Sequence, residues 1–212
     1  MSPSNFTTSF RDILDAISYK IVHIRPGQTI FTQGEKCDRV YFIEHGIVRL
    51  STVSQEGKAA VVSIMGTGDV VGVECLAGGL AHETTAVALV RSTAIKVRSA
   101  ALMQLLHHRL SAAGQFINYL TKLYLRVQRD FAHYLLNTSE KRLARALLLV
   151  DDYGRGIDSS ILETITQDTL AEMVGTTRTR VNFFMNQFKK KGYVQYDDVR
   201  LNISPSLREM LG

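Results

Sequence analysis

The stretch that decides the fold runs from Gln167 to Gly192 and reads QDTLAEMVGTTRTRVNFFMNQFKKKG. Two apolar series lie within it, at Leu170, Met173 and Val174 and then at Val181, Phe184, Met185 and Phe188, with Gly175-Thr176-Thr177 between them. Spacings of three and four residues are typical of amphipathic helices, and glycine marks a tight bend. The stretch therefore predicts a helix-turn-helix.

The second half of this stretch is strongly basic. Between Thr176 and Gly192 it contains no acidic residue and carries Arg178, Arg180, Lys189, Lys190 and Lys191. Such a segment favours polyanions. The alternative is an αα-hairpin that has a basic surface but does not bind DNA. We disfavour it because the turn, the charge, the apolar spacing and the strands predicted after the stretch all agree with a DNA-binding helix-turn-helix.

The second helix of a helix-turn-helix enters the major groove, and its N-terminal residues reach base edges. We expect this helix to start near Thr176. Base readout is then assigned to Arg178, Thr179, Asn182 and Phe183, and phosphate contacts to Thr177, Arg180, Lys189 and Lys190. Arginine can pair with guanine, asparagine with adenine, and an apolar side chain with a thymine methyl group. The lysines at the helix end could equally complement the helix dipole.

The first half of the chain has a sequence pattern typical of β-strands. After a short predicted helix, FRDILDAI, residues 19–97 contain short runs rich in Val, Ile, Tyr, Phe and Thr, divided by glycines. Such runs, with turn signals every 8 to 12 residues or so, indicate an antiparallel barrel or jelly roll. With the helices that follow, the fold class is α+β.

A long helix is predicted from about residue 112 to 136. Its heptad-like seam consists of Ile117, Leu120, Tyr124, Val127, Phe131 and Tyr134. Leu123, Leu125 and Leu135 lie off the seam and are expected to face the barrel. Because apolar residues on two sides need two partners, the helix predicts a homodimer. The alternative is an ordinary buried helix in a monomer.

The last third of the chain supplies the remaining parts of a winged helix. A helix is predicted for EKRLARALLLVDDYG, a strand for ILETIT, a two-stranded wing for YVQYDD and VRLNIS, and a short closing helix for PSLREMLG. The predicted domains are an effector-sensing barrel with flanking helices (1–111), a dimerisation helix (112–137) and a winged helix-turn-helix (138–212).

Composition sets wider limits. The 212 residues are 45% hydrophobic and 21% charged with a net charge of +5, which is ordinary for a two-domain protein. Cys37 and Cys75 have no local CxxC or CxxH partner, so we expect reduced thiols and no metal site. No run of about 18 apolar residues or signal peptide is present, which predicts a cytoplasmic protein without a membrane partner.

With these parts in order, the chain resembles the Crp/Fnr family of bacterial transcription regulators. The resemblance covers nearly all of it: PGQTIFTQGE, RVYFIEHGIVRL, GTGDVVG, the long helix and TLAEMVGTTRTRVNFFMNQFKKKGYV. It implies a homodimer, an effector-sensing barrel, and a winged helix that binds double-stranded DNA at two-fold-related half-sites and contacts RNA polymerase. In the recognition helix, Arg178 stands at the family's guanine-reading arginine. Thr179 and Phe183 replace a glutamate and an arginine, which predicts a different half-site.

The same resemblance argues against a cyclic nucleotide effector. Family members that bind one carry a Gly-Glu pair and then Arg-Ser or Arg-Thr before alanine after the GD corner. The corresponding candidate pocket residues here are Gly72, Val73, Glu74, Thr84 and Thr85, so Val73 replaces the glutamate and Thr84 the arginine. If its segment is strand, Glu74 faces the other way. His82 could supply a weaker positive charge. No cofactor is identified, and the effector is unknown.

Other readings remain open. A cyclic-nucleotide-responsive regulator with a divergent pocket is one alternative, and a cupin-like small-molecule-binding module without DNA binding is another. The iron-sulfur cluster of some family members needs N-terminal cysteines, and residues 1–36 contain none. Haem bound by Cys75 with His82 or His23 is disfavoured. An enzyme is not expected, because the six histidines show no HxH pair in a strand.

Overall fold

A computed structural model describes residues 11, 13–154, 165–197 and 200–211. The chain divides into two compact units, one within Met1–Gly57 and Ser63–Gln128, the other within Lys58–Val62 and Arg129–Gly212. The mixed α and β architecture predicted from the sequence is confirmed. The strand predicted for ILETIT lies mostly outside the described residues.

The first unit contains two four-stranded antiparallel sheets, apart from residues 59–62 of their fifth strand. Its strands are β1 (Tyr19–Ile24), β2 (Thr29–Phe31), β3 (Arg39–His45), β4 (Ile47–Val53), β5 (Ala59–Gly66), β6 (Val70–Val71), β7 (Thr85–Ala88) and β8 (Ser92–Arg98). The sheet orders are β1-β8-β3-β6 and β2-β7-β4-β5. Apart from Arg98 at the end of β8, these strands lie within residues 19–97, and the jelly-roll prediction is confirmed.

Apolar side chains from both sheets fill the barrel. One cluster includes Val40, Phe42, Ile95 and Val97, and another includes Ile43, Val48, Ala86 and Ala94. Of the predicted lead-in helix, Ile13 and Leu14 are helical and buried in the first cluster. These two residues thus extend the barrel core.

Two helices follow β8, namely α1 (Ser99–His108) and α2 (Leu110–Leu136). Phe116 and Tyr119 of α2 are buried in the barrel core, and Leu123 packs against it. Leu125 and Leu135 are 49% and 63% exposed. Of the three leucines expected to face the barrel, only Leu123 does so, because the face that meets the barrel is formed by Ala112, Phe116, Tyr119 and Leu123 at spacings of three and four.

The second unit is a three-helix core with a two-stranded wing. It contains α3 (Ser139–Gly154), α4 (Gln167–Val174), α5 (Arg178–Lys190), β9 (Val194–Asp197), β10 (Arg200–Ile203) and a closing 3-10 helix (Pro205–Leu211). The wing strands pair antiparallel with Arg200 opposite Asp197. Leu143, Leu147, Val174, Val181 and Phe188 are fully or almost fully buried between these elements. None of the described helices is long and apolar enough to cross a membrane.

Candidate DNA-binding surface and sensing barrel

The helix-turn-helix is defined by two side-chain caps and one glycine. The Thr166 hydroxyl accepts a hydrogen bond from the backbone N–H of Thr169 at 3.1 Å and begins α4. The Thr177 hydroxyl accepts from the N–H of Arg180 at 3.3 Å and begins α5. Such caps satisfy amide donors that a helix start leaves unpaired. α5 therefore begins at Arg178, two residues later than the sequence pattern suggested.

Gly175 allows the bend between the two helices. It ends α4 in the left-handed conformation with φ of 67°, which residues with a Cβ adopt at a cost. A Cβ at this position would lie 2.6 Å from the Tyr134 hydroxyl oxygen. The Arg142 guanidinium covers the same tyrosine ring at 4.3 Å. Tyr134, assigned from its spacing to the dimer seam, thus also supports the turn.

One face of α5 is buried and the other is open. Val181, Met185 and Phe188 are buried, and Phe184 is half-buried. The four residues assigned to base readout, Arg178, Thr179, Asn182 and Phe183, are all exposed. They lie within the first half of the helix, where a groove-inserted recognition helix makes its base contacts.

The side chains assigned to base readout have weak neighbours. Arg178 Nη1 lies 3.3 Å from an Asp168 carboxylate oxygen on α4, with both side chains more than half exposed. Exposed pairs of this kind contribute little free energy. The Asn186 side-chain amide lies 3.5 Å from Asn182 Oδ1. The Arg178 guanidinium is therefore held only weakly by Asp168.

The residues assigned to phosphates differ in their surroundings. Thr177 is engaged in capping α5, and the Arg180 guanidinium lies 6.0 Å from the centre of the Phe184 ring. Lys189 and Lys190 are exposed in the last turn. Lys191, which we left out of that set, lies 3.7 Å from Glu140 of α3.

The seam of α2 is an exposed apolar surface. Ile117, Tyr124, Val127 and Phe131 are 63%, 60%, 51% and 60% exposed, and Leu120 and Tyr134 are 36% and 45% exposed. Large apolar side chains in a continuous row on one helix are typical of a surface that meets a partner.

The candidate effector pocket differs from the sequence expectation at Glu74. Val73–Ala77 forms a 3-10 helix and not a strand, so the alternation argument that turned Glu74 away is wrong. Its carboxylate lies 2.8 Å from His82 Nδ1. Gly72 precedes this helix with φ of 80°, and a Cβ there would lie 2.7 Å from the Arg39 carbonyl oxygen.

The other assigned pocket residues have local roles. Val73 packs against the barrel core. The Thr85 hydroxyl accepts a hydrogen bond from the backbone N–H of Gln33 at 3.0 Å, and Thr84 is half-buried. Neither threonine side chain carries a charge, and the Thr85 hydroxyl is hydrogen-bonded to the backbone.

The two cysteines form a disulfide, so the expectation of reduced thiols is wrong for this structure. Cys37 and Cys75 have Cα atoms 5.1 Å apart and are 38 residues apart in sequence. His82 Nδ1 lies 3.5 Å from Cys37 Sγ. Local spacing gave no sign of this cluster, because Cys37 lies between β2 and β3 whereas Cys75 and His82 lie between β6 and β7.

Two contacts of α2 with the barrel corner were also missed. The Tyr119 hydroxyl accepts a hydrogen bond from the backbone N–H of Val70 at 2.8 Å. Arg126 Nη1 lies 3.1 Å from Asp69 Oδ2. Both polar residues lie off the apolar seam, at positions where the helical pattern alone predicts no partner.

Each half of the chain matches a known protein family. Residues 21–109 match the model of the cyclic nucleotide-binding domain, and residues 141–210 match that of the Crp-like helix-turn-helix domain. A CRP-like cAMP-activated global transcriptional regulator of Mycobacterium tuberculosis is 25% identical over 185 residues, which are 86% of this chain and 83% of that protein.

Solved structures show the same fold. FixK2 from Bradyrhizobium japonicum superposes with a TM-score of 0.76 at 17% identity, covering 92% of this chain and 96% of its own. A CRP-family transcriptional regulator from Thermus thermophilus does so with a TM-score of 0.76 at 21% identity, covering 90% and 96%. From the two domain models in this order, the relatives and the shared fold, we conclude that the chain belongs to the Crp/Fnr family of DNA-binding transcription regulators.

Proposed function

We propose that this protein is a homodimeric, sequence-specific transcription regulator whose barrel does not respond to cyclic AMP. The observation that carries the proposal is the outward face of α5. Arg178, Thr179, Asn182 and Phe183 are exposed together near the start of a capped helix whose opposite face is buried. A donor, a hydroxyl, an amide and an aromatic ring supply the contacts that distinguish base pairs.

The charge around this face supports binding to the DNA backbone. No acidic residue occurs between Thr176 and Gly192, and Lys189 and Lys190 are exposed at the far end of α5. Phosphate contacts position a protein and base contacts make it selective. We assign the first role to Thr177, Arg180, Lys189 and Lys190 and the second to the four residues at the helix start.

Selection of bound duplexes from random DNA at two salt concentrations tests this function. We expect enrichment of an inverted repeat whose half-sites lie about one helical turn apart. Binding without sequence preference that weakens as the salt concentration rises would instead show that the protein binds DNA only through its charge. In that case, the cupin-like module without specific DNA binding becomes the better description.

Dimerisation through α2 is inferred from its exposed seam. Six large apolar side chains in heptad-like spacing would be covered by the same row on a second copy, as in a coiled coil. Such a dimer would present two copies of α5 to two-fold-related half-sites. Sedimentation velocity of the intact protein measures the expected dimer directly.

Independence from cyclic AMP is inferred from the candidate pocket. A bound cyclic phosphate needs a guanidinium or converging amide donors, and its ribose needs a carboxylate acceptor. Thr84 stands where the arginine is expected, with Thr85 at the serine or threonine position after it, and the Glu74 carboxylate is engaged by His82. We expect calorimetric titration with cyclic AMP or cyclic GMP to show no saturable heat.

A cyclic-nucleotide-responsive regulator with a divergent pocket is the second candidate. It is favoured by the match of residues 21–109 to the cyclic nucleotide-binding domain. The same titration separates the two, since micromolar saturation at one nucleotide per chain would support this candidate and overturn cyclic AMP independence.

The remaining assignments follow from this function. We assign residues 1–111 to sensing, 112–137 to dimerisation and 138–212 to DNA binding. The protein would act in the cytoplasm and contact RNA polymerase, and no catalytic role is assigned to it. Transcription from a promoter carrying the selected repeat, with and without the protein, tests this step.

A further inference from the structure

We propose that Cys37, Cys75 and His82 form a Zn²⁺ site when the two cysteines are reduced, with Glu74 as the fourth ligand. The proposal goes beyond DNA binding and does not depend on it. Ligand atoms of the two cysteines and His82 all lie within 4.8 Å of one another, and all three residues are buried. Their sequence positions carry no metal-binding motif, so only the fold brings them together.

The ligand set matches zinc chemistry. Two thiolates, one imidazole and one carboxylate are donors that select Zn²⁺ over Mg²⁺ or Ca²⁺, which prefer oxygen alone. In a tetrahedral site with ordinary bond lengths, a sulfur and a nitrogen ligand lie about 3.5 Å apart. His82 Nδ1 and Cys37 Sγ lie 3.5 Å apart.

Glu74 lies beside the histidine of this set and is the fourth ligand that we assign to it. Its Oε1 atom lies 2.8 Å from the same nitrogen of His82. Its side chain is 26% exposed while that of His82 is 3% exposed. The carboxylate therefore stands on the solvent side of the cluster, where an ion would enter.

Backbone hydrogen bonds hold Cys37 and His82 side by side. The N–H groups of Gly34, Cys37 and His82 donate to the carbonyls of His82, Leu80 and Glu35, respectively. The distances are 2.9, 3.1 and 2.8 Å. This pairing joins the loop after β2 to the loop before β7, and it consists of backbone contacts that do not involve the sulfurs.

The side chains are oriented by further contacts. The His82 ring stacks on Phe31 with centroids 3.7 Å apart and planes 9° apart. Cys75 lies in the 3-10 helix after Gly72, and its sulfur lies 3.3 Å from the Arg39 carbonyl oxygen. These contacts restrict the orientation of the imidazole ring and the position of Cys75, which favours binding of an ion.

Disulfide and metal exclude each other, because thiolates and not disulfide sulfurs bind zinc. Reduction by a thiol or phosphine adds two electrons and two protons to the disulfide, giving two thiols while the reductant is oxidised. Zn²⁺ binding then displaces both thiol protons to solvent. In a thiol-reducing compartment the dithiol form is favoured, and the site is then available to the ion.

The test is titration of the reduced full-length protein with Zn²⁺ against a chromophoric chelator. We expect one ion per chain, and no competition from protein whose disulfide is intact. Cys37→Ser, Cys75→Ser and His82→Gln should each weaken binding more than about 100-fold, and Glu74→Gln about 10- to 100-fold. His23→Gln, an exposed histidine on β1, serves as the matched control and should leave binding unchanged.

Co²⁺ gives a readout that needs no variant to fold. The reduced wild-type protein with Co²⁺ should show an intense thiolate-to-cobalt charge-transfer band that Zn²⁺ abolishes. Absence of stoichiometric Zn²⁺ binding by reduced protein would overturn the proposal. So would binding that survives in the Cys37→Ser and Cys75→Ser double variant, or equal binding by the disulfide form.

Discussion

Arg126 Nη1 lies 3.1 Å from each carboxylate oxygen of Asp69, which ties α2 to the corner between β5 and β6. The pair is mostly buried, with side chains 27% and 12% exposed. Asp69 also accepts a hydrogen bond from the backbone N–H of Gly66 at 2.9 Å. One carboxylate therefore shapes the corner and holds the helix.

This arrangement predicts unequal effects of removing the two partners. Asp69→Ala leaves both a guanidinium and an amide without this acceptor, so we expect a loss of about 2–3 kcal/mol in the free energy of unfolding. Arg126→Ala removes the cation beside a mostly buried carboxylate but leaves the corner amide paired, so it should cost less, about 1–2 kcal/mol. Urea denaturation of the three proteins measures both values. Equal losses would mean that the Gly66 contact adds nothing.

The turn of the helix-turn-helix gives a second prediction. Gly175→Ala combines a positive φ with a Cβ 2.6 Å from the Tyr134 hydroxyl oxygen. Gly192 has φ of 72° but nothing within 4 Å of an added Cβ, so Gly192→Ala isolates the backbone cost of about 1–2 kcal/mol. Gly175→Ala should destabilise the protein by more than that.

The excess can be assigned to the tyrosine by a double-mutant cycle. Removing the hydroxyl with Tyr134→Phe leaves ring atoms at 3.2 and 3.3 Å as the nearest neighbours of the new Cβ. We therefore expect Gly175→Ala to cost less in the Tyr134→Phe protein than in wild type. The loss in the free energy of unfolding is measured by urea denaturation. If Gly175→Ala costs the same in both proteins, the Tyr134 hydroxyl does not cause the excess.

The sequence predicted the parts whose signals are local. The β runs between glycines, the apolar spacing of α4 and α5 and the wing strands are each read within about ten residues, and the structure contains all of them. The Val73–Ala77 helix was missed because a single 3-10 turn has too few residues to show a period.

Contacts between distant segments were not predictable in the same way. Cys37, Cys75 and His82 meet only after the loops beside β3, β6 and β7 have been brought together. Tyr119 belongs to a helix with two apolar faces, and one periodic series cannot say which residues face the barrel. Such features depend on tertiary contacts for which periodicity carries no signal.

The seam of α2 predicts how the dimer can be broken. Val127→Asp would place a carboxylate in the apolar contact of both copies, where it has no partner. We expect the dissociation constant to rise at least tenfold, as measured by sedimentation velocity. Asn118→Asp adds the same charge at an exposed position off the seam and should leave the dimer intact. Equal sensitivity of both variants, or none, would place the interface elsewhere.

Arg178 predicts a loss of selectivity as well as affinity. Arg178→Ala should weaken binding to the selected repeat by about 1–3 kcal/mol and relax the preference at one base pair of each half-site. Arg25→Ala removes an equally exposed positive charge from the barrel and is the matched control. Fluorescence anisotropy against the repeat and its single-base variants gives both quantities. A uniform loss across all sequences would reassign Arg178 to the phosphates.

The charge of Lys190 can serve either to contact a DNA phosphate or to complement the dipole of α5, and the salt dependence of DNA binding separates the two. If it contacts a phosphate, Lys190→Ala should reduce the slope of log affinity against log salt concentration by about one for each chain. If it only complements the dipole of α5, the slope should stay unchanged while the free energy of unfolding falls by about 0.3–1 kcal/mol. Lys20→Ala on β1 removes the same charge from an exposed position and should change neither slope nor selectivity. Anisotropy titrations at four or more salt concentrations, with urea denaturation of the same samples, decide between the two. A phosphate contact acts only in the complex, whereas a dipole contact acts in the free protein as well.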